Sequence, residues 1–258
     1  RRLTRTVIRL DAATVLLQWS VGGLGFLWVT GRGRQVGVGY GWLLRGVYGL
    51  MATGALAVGL ATGPVPVREV ATGIAAAATF AALVVAVVQR SEGVDGFPLG
   101  IDLVAPALGT VALVAAGLDA GGPPALAVAR TLIGAAFLGA VSDAMLLGHW
   151  YLVQPGLPRG PLLELVRWTG RLWPFELAAL LWPTGMVSVL AGTVDDGYGG
   201  LLGWFWLACT VASIALVAAT RAALRERQYS AVMSATGLLY LAILTGFGMD
   251  LVARACLA

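Results

Sequence analysis

Residues 70 to 89 read VATGIAAAATFAALVVAVVQ, a run of twenty residues without a charged side chain. An α-helix rises about 1.5 Å per residue, so this run is long enough to cross a hydrocarbon core of roughly 30 Å. The whole chain has the same character, because 59% of its 258 residues are hydrophobic and 12% are charged, with a mean hydropathy of +0.85. A typical soluble domain has about 25% charged residues, so the composition excludes a soluble globular protein and indicates an integral membrane protein.

Eight apolar stretches follow one another along the chain and contain most of its residues. Irregular backbone cannot face lipid, so each stretch is predicted to be a transmembrane helix. The predicted fold is therefore all-α, a polytopic integral membrane helix bundle of about eight transmembrane helices, in a single domain over residues 1–258. The predicted spans are 11–30, 40–61, 70–89, 100–118, 125–152, 173–192, 200–220 and 230–253.

One connection, at residues 153–172, is longer than the others. It begins with a segment rich in proline and glycine and ends with residues 162–171, which could form a short amphipathic helix lying in the membrane interface. The sequence leaves two alternatives for residues 153–172, an interfacial loop and such a helix.

The two halves of the chain show a weak internal similarity. Residues 50–90 and 178–221 each contain an apolar helix, a tight turn and a second helix that ends at an arginine. The segment beginning at Asp11 also faintly resembles the one beginning at Asp143. These similarities favour a possible parallel 4+4 repeat, although alanine- and leucine-rich helices produce such matches by chance.

The arginines predict the orientation of the chain. We call side A the membrane face with the loops after the first, third, fifth and seventh spans, and side B the opposite face. Ten arginines belong to side A and three to side B, apart from four in the N-terminal tail. The positive-inside rule makes loops 31–39, 90–99, 153–172 and 221–229 cytoplasmic, whereas the tail argues for the opposite orientation. All 17 basic residues are arginine, which together with abundant alanine and glycine indicates a bacterial source and a cytoplasmic (inner) membrane location.

Ionisable side chains inside the predicted spans form the candidate site, because a carboxylate in hydrocarbon is costly and usually functional. Asp143 lies about two turns inside the fifth span, too deep and too short to reach the interface easily. The predicted proton or ligand site, all in the side A leaflet, consists of Asp143, Arg45, Asp102, Glu176 and His149. If these groups converge, Arg45 would pair with a carboxylate and a remaining acid could carry a proton. The alternative is that each group reaches the interface or caps a helix separately.

A second candidate cluster is structural. Arg130 lies one turn inside the fifth span and Asp250 near the end of the eighth, both towards side B. This placement predicts a buried ion pair that holds the two spans together.

The sequence lacks motifs for metal, nucleotide or covalent chemistry. His149 is the only histidine, whereas a transmembrane haem usually needs two axial ligands. No His-Glu-x-x-His, Gly-x-Ser-x-Gly or Walker sequence occurs. We therefore expect no metal, no catalytic residue and no cofactor of the chain's own, although a quinone or lipid could bind beside it. The arginines stand at helix ends near tryptophan and tyrosine, which indicates anchoring to lipid headgroups and argues against nucleic-acid binding.

Two functions remain open from the sequence. The first is a subunit of a larger membrane complex, above all a respiratory or electron-transfer assembly, where the chain would anchor other subunits or border a quinone or lipid pocket. The second is a small-solute or ion transporter coupled to protons, which the possible repeat and the ionisable side chains support. An enzymatic role for the isolated chain is disfavoured, because no nucleophile and base stand within reach of each other.

Overall fold

A computed structural model describes residues 11–92, 97–98, 100–226 and 228–257. The described residues form helices and their connections, with no strand among them, which confirms the predicted all-α membrane helix bundle. A short 3-10 turn, Ile101–Leu103, leads into the fourth helix. The helices are α1 (Ala12–Gly31), α2 (Val38–Thr62), α3 (Pro66–Ser91), α4 (Val104–Asp119), α5 (Pro124–Val153), α6 (Gly160–Leu181), α7 (Gly185–Leu190), α8 (Leu201–Ala223) and α9 (Tyr229–Leu257).

Some residues used for the orientation lie outside the described ranges. They are the tail arginines Arg1, Arg2, Arg5 and Arg9, residues 93–96 and 99 of loop 90–99, and Arg227 of loop 221–229. What the sequence predicts for these positions stays a prediction.

Local sequence explains where several helices begin. Asp11 caps α1, since its carboxylate accepts hydrogen bonds from the Ala13 amide at 3.1 Å and from the Thr14 hydroxyl at 2.9 Å. Pro66 and Pro124 stand in the first turns of α3 and α5, where the N–H that proline lacks would have no partner within the helix.

The loop before α8 is organised by Asp196. Its carboxylate accepts hydrogen bonds from the amides of Gly200, Tyr198 and Leu202, at 2.8 to 2.9 Å. Gly200 adopts a φ of 87°, a conformation that glycine tolerates best. These backbone hydrogen bonds hold the pKa of the Asp196 carboxyl below its ordinary value, and the one from Gly200 has the largest effect, followed by the one from Tyr198.

Within the described ranges, seven helices are long and apolar enough to cross a membrane, namely α1 to α5, α8 and α9, with the 3-10 turn counted as part of α4. Helix α6 is an eighth long helix of 22 residues that carries four charged side chains. Glu164, near its start, pairs with Arg32 at the end of α1. Arg130, near the start of α5, donates to the carbonyl oxygen of Ala179 near the end of α6. Helix α6 therefore runs the length of the bundle, antiparallel to α5.

The predicted boundary between loop 153–172 and the sixth span is wrong. Residues 160–172 form the first half of α6, which continues through Pro174, so the connection to α5 is short. The predicted span 173–192 is instead divided between the end of α6 and the short α7. The charged side chains of α6 lower its mean hydropathy, so its apolar face is not evident from the sequence. Leu162 and Leu165 lie on this face and are fully buried.

Helices α1 and α5 form the centre of the bundle. In the first half the packed neighbours are α1–α2, α2–α3, α3–α4 and α4–α1, and α5, α6, α8 and α9 pack in the same order in the second half. This matching order supports the predicted 4+4 repeat, with residues 50–90 and 178–221 on corresponding helix pairs. Asp11 and Asp143 do not correspond, because Asp11 precedes α1 whereas Asp143 lies deep inside α5.

Glycines allow the central helices to touch. A Cβ on Gly22 of α1 would lie 1.8 Å from the carbonyl oxygen of Ala135 in α5, and a Cβ on Gly139 would lie 2.1 Å from the carbonyl carbon of Gly22. The ring of Tyr48 from α2 packs against Gly23 equally closely. Such small-residue contacts hold helices together in lipid, where no hydrophobic force drives them together. Helices α1, α2 and α5 therefore meet at this level.

Candidate functional site

Asp143 is buried where α1, α2 and α5 meet, with an exposed fraction of 0%. The Tyr48 hydroxyl donates a hydrogen bond of 2.5 Å to its Oδ1. The Tyr40 hydroxyl donates to the main-chain carbonyl oxygen of Asp143 at 3.3 Å. The second carboxyl oxygen, Oδ2, has no hydrogen-bond partner among the described residues. This oxygen can carry a proton or accept one from a mobile donor, a capacity that a purely structural carboxyl group does not need.

Hydrogen bonds to α1 place Asp143 near the middle of the bundle. Ser20, close to the midpoint of α1, donates to the Tyr48 carbonyl oxygen at 2.7 Å. The indole of Trp19 donates to the hydroxyl of Ser142, also at 2.7 Å. Asp143 therefore lies close to mid-depth, which is deeper than its position in the sequence indicated.

Arg45 and Asp102 form a buried ion pair towards side A. Arg45 Nε and Nη2 donate to the two carboxylate oxygens of Asp102, each at 2.8 Å. The Phe97 ring covers the guanidinium group, with its centroid 4.2 Å from Cζ. The structure thus brings two of the predicted site residues together as a bidentate pair, the strongest geometry for these groups.

A cavity of about 360 Å³ opens at side A beside this pair. Arg45, Asp102 and Tyr40 belong to its lining. Tyr40 also contacts the main chain of Asp143. Tyr40 therefore connects the lining of the side A cavity with the main chain of Asp143.

Glu176 does not join Asp143, contrary to the predicted grouping. Because α6 begins at Gly160, Glu176 lies in the half of α6 towards side B. Its side chain is 0% exposed, and neither carboxyl oxygen has a hydrogen-bond partner among the described residues. It interacts electrostatically with Asp250, Arg254 and Arg130. Glu176 is thus a second buried acid at a different depth.

The predicted Arg130–Asp250 ion pair is replaced by two other arrangements. Asp250 Oδ1 accepts a hydrogen bond of 2.7 Å from Arg254 Nε, one helical turn along α9. Arg130 donates to main-chain oxygens at the end of α6, to Ala179 at 2.9 Å and to Trp182 at 2.7 Å. Arg254 connects the two groups by donating to the carbonyl oxygen of Arg130 at 3.0 Å. Helices α5 and α9 are therefore linked through Arg254.

A second cavity, of about 550 Å³, opens at side B. Its charged lining consists of Arg68, Arg130, Arg254, Asp11 and Asp119. Gln18 of α1 also lines it. Gln18 is fully buried and donates through Nε2 to the Thr131 carbonyl oxygen at 2.7 Å.

His149 is separated from the other predicted site residues. Its ring is exposed on the outer surface of the bundle. Nδ1 lies 3.3 Å from the hydroxyl of Tyr240 on α9, and the two rings meet edge to face. This geometry is a local contact and does not include His149 in the Asp143 site.

Sequence reasoning did not single out Tyr48, Gln18 or Arg254. The spacing of Asp250 and Arg254, four residues apart on one helix, was an available signal for their pairing. A glutamine in the middle of an apolar helix such as α1 was a second signal. Tyr48 gave none, because tyrosine is common in apolar stretches and its partner lies on another helix.

In the described part of the chain, no group of three or more His, Cys, Asp or Glu side chains could hold a metal ion. Comparisons of the chain with protein-family models, with curated proteins and with solved structures found no match.

Proposed function

We propose that this chain is a proton-coupled transporter of a small solute, with Asp143 as the group that binds and releases the proton. The observation that supports this most directly is the Asp143 carboxyl group, which is fully buried with one oxygen bound to Tyr48 and the other without a partner. An ionisable group at the centre of a membrane helix costs about 3 kcal/mol on insertion scales. A chain that only anchors other subunits has no use for such a group.

The positions of the two cavities support a transport path. Gln18 lines the side B cavity and Tyr40 lines the side A cavity. Asp143 and Tyr48 lie between them along α1, at the level of Ser20. The close contact of α1 with α5 lies near the same level, and a shift of these helices against each other would allow the two cavities to open in turn. Repeated halves move in this manner in many transporters.

The arginine distribution supports an orientation for this path. With side A cytoplasmic in a bacterial inner membrane, the side B cavity would face outwards. A solute and a proton arriving from outside would enter at side B and pass Asp143 on the way to side A.

The test uses the purified chain in liposomes that contain a pH-sensitive dye. Lactate, alanine and glucose are added outside in turn, and we expect at least one of them to change the internal pH. Asp143→Asn should abolish this change without altering the elution of the protein in size-exclusion chromatography. Glu92→Gln, which alters an exposed carboxyl group at the end of α3, is the matched control and should behave like the original protein. If Asp143→Asn moves protons with the solute at the original rate, Asp143 is not the proton site.

A second candidate function, a subunit of a respiratory or electron-transfer complex, is favoured by the outer face of α6. Arg167 and Arg171 lie one turn apart on this helix and are both exposed. Arg171 is near the middle of α6, where its guanidinium group lies 5.7 Å from the centroid of the Trp168 ring and has no salt bridge to a described residue. An outward-facing arginine at this depth would be stabilised by an acidic residue of a neighbouring subunit or by a bound quinone or lipid headgroup.

Purification from native membranes in mild detergent tests this second function. A complex subunit should retain other membrane proteins in fixed proportion, and Arg171→Ala should release them. Arg225→Ala, an exposed arginine in the loop after α8, is the control and should retain them. Purification of the chain without other subunits would favour the transporter.

A further inference from the structure

Arg130 and Arg254 both line the side B cavity, and each has a donor without an acceptor among the described residues. Arg130 uses Nε and Nη2 for the carbonyl oxygens of α6. Arg254 uses Nε for Asp250 and Nη2 for the Arg130 carbonyl oxygen. The Nη1 groups of both have no acceptor in the described part of the chain, although both residues line the cavity.

The two arginines differ in their carboxylate partners. Arg254 Nη2 donates to the carbonyl oxygen of Arg130, so the two residues are direct neighbours. Asp250 forms a salt bridge with Arg254, whereas Arg130 has no carboxylate within salt-bridge distance among the described residues. Arg68, at the same cavity, differs because it is paired with both Asp11 and Glu69. Glu176 also interacts electrostatically with both arginines, but its carboxyl oxygens form no hydrogen bond to either of them. An anion between Arg130 and Arg254 would therefore be free to accept from both Nη1 groups.

Gln18 adds an unused acceptor beside these donors. Its Oε1 has no hydrogen-bond partner, and the side chain is 0% exposed while it lines the cavity. The Gln18 amide and Arg254 bind consecutive carbonyl oxygens of α5, those of Thr131 and Arg130. The Arg254 guanidinium and the Gln18 amide also lie against Gly134. A Cβ added to Gly134 would lie 2.5 Å from Arg254 Nη2 and 2.9 Å from Gln18 Nε2. The acceptor is thus next to the anion position.

We propose that the side B cavity binds a small 2-hydroxycarboxylate. Its carboxylate would lie between Arg130 and Arg254, and its hydroxyl group would donate to Gln18 Oε1. A hydroxyl group fits better than an ammonium group, because two guanidinium charges lie nearby. This inference rests on the proposed transport function only in making the ligand the transported solute, since binding itself requires neither a gradient nor Asp143.

Binding of radiolabelled lactate to the purified full chain in detergent, by equilibrium dialysis, tests the proposal. Propionate has the same skeleton without the hydroxyl group, and we expect it to compete roughly 3- to 10-fold more weakly, the effect of one neutral hydrogen bond. Alanine should compete less well than lactate. Phosphatidylglycerol should compete no better than phosphatidylcholine if the anion comes from a soluble acid. Equal competition by lactate and propionate, strong competition by phosphatidylglycerol, or no lactate binding would each overturn the proposal.

Variants locate the site. Gln18→Met should remove the preference for lactate over propionate, and Arg130→Gln should weaken both at least tenfold, because it removes a charge-assisted hydrogen bond. Glu92→Gln, which alters an exposed carboxyl group outside this cavity, is the control and should leave both affinities and the preference unchanged. If either of the first two variants does not fold, the lactate-to-propionate ratio of the original chain still decides the question.

The binding test and the transport test fail separately. Lactate binding that persists in Asp143→Asn, together with transport unaffected by that change, would leave the binding site valid and refute the proton-coupling role. Proton-coupled transport of another solute without lactate binding would refute the ligand assignment alone.

Discussion

Tyr48 of α2 donates a hydrogen bond of 2.5 Å to Oδ1 of Asp143 on α5, with both side chains fully buried. Removal of the donor leaves a buried carboxyl group with neither oxygen bonded, which costs about 1–3 kcal/mol. We therefore expect Tyr48→Phe to lower the free energy of unfolding in detergent by that amount. Tyr198→Phe, at a side chain that is 68% exposed, is the control and should have little effect.

The effect of Tyr48→Phe should depend on Asp143. In an Asp143→Asn background the same change removes a hydrogen bond to a neutral amide, so the loss should be smaller. Equal losses in both backgrounds would mean that Tyr48 acts through packing against Gly23 and not through the carboxyl group.

The Arg45–Asp102 pair should behave as a unit. Arg45→Met leaves a buried carboxylate without its cation, and we expect a loss of about 3–5 kcal/mol. The double variant with Arg45→Met and Asp102→Leu should recover most of it, because neither charge remains buried. Thermal unfolding in one detergent of the original chain, the two single variants Arg45→Met and Asp102→Leu, and the double variant measures this cycle. Additive losses in the double variant would show that the two side chains stabilise the bundle independently.

Contact between α1 and α5 depends on Gly22. Gly22→Ala would place a Cβ 1.8 Å from the Ala135 carbonyl oxygen, so the helices must move apart. We expect a loss of about 1–3 kcal/mol, as for an overpacked core. Gly25→Ala, on the same helix with nothing within 4 Å of the added atom, is the matched control. Its effect should be neutral or stabilising, because alanine is the better helix former by roughly 1 kcal/mol. Equal melting temperatures for the two variants would contradict the close contact.

Hydropathy predicted most of the bundle because lipid thickness fixes the length of each helix. It failed at α6, where Glu164, Arg167 and Arg171 interrupt the apolar pattern while the opposite face packs into the bundle. Because the start of this helix was predicted too late in the sequence, Glu176 was expected near side A, whereas it lies towards side B. Helix boundaries thus decide which ionisable groups can meet, and a charge on one face of a helix is enough to obscure them.

The candidate site could be predicted only in part. Asp143 and Arg45 could be identified because burying an ionisable side chain in hydrocarbon is costly, and this cost follows from the position of the residue within its predicted span. The partners of these residues depend on how helices rotate and pack, which the sequence of one chain does not specify. Arg130 shows the limit clearly, because its acceptors are main-chain oxygens at the end of α6 that no side-chain pattern could indicate.

The loop before α8 should make stability depend on pH through Asp196. Its pKa in the folded chain is lowered by the amides of Gly200 and Tyr198, so the carboxylate stabilises the folded state above the ordinary pKa of aspartate, about 4. This contribution is lost as the pH falls through the lower, folded pKa. We therefore expect Asp196→Ala to lower the unfolding temperature at pH 7 and the difference to shrink progressively below about pH 4.

Asp195→Ala is the control for this prediction. Asp195 accepts one amide hydrogen bond, from Gly197 at 2.9 Å, whereas the Asp196 carboxylate binds three amides. Its replacement should therefore lower the unfolding temperature less at pH 7. A deficit of Asp196→Ala that stays constant from pH 7 to about pH 3 would show that the loop is stabilised by its backbone conformation and not by the charge of Asp196.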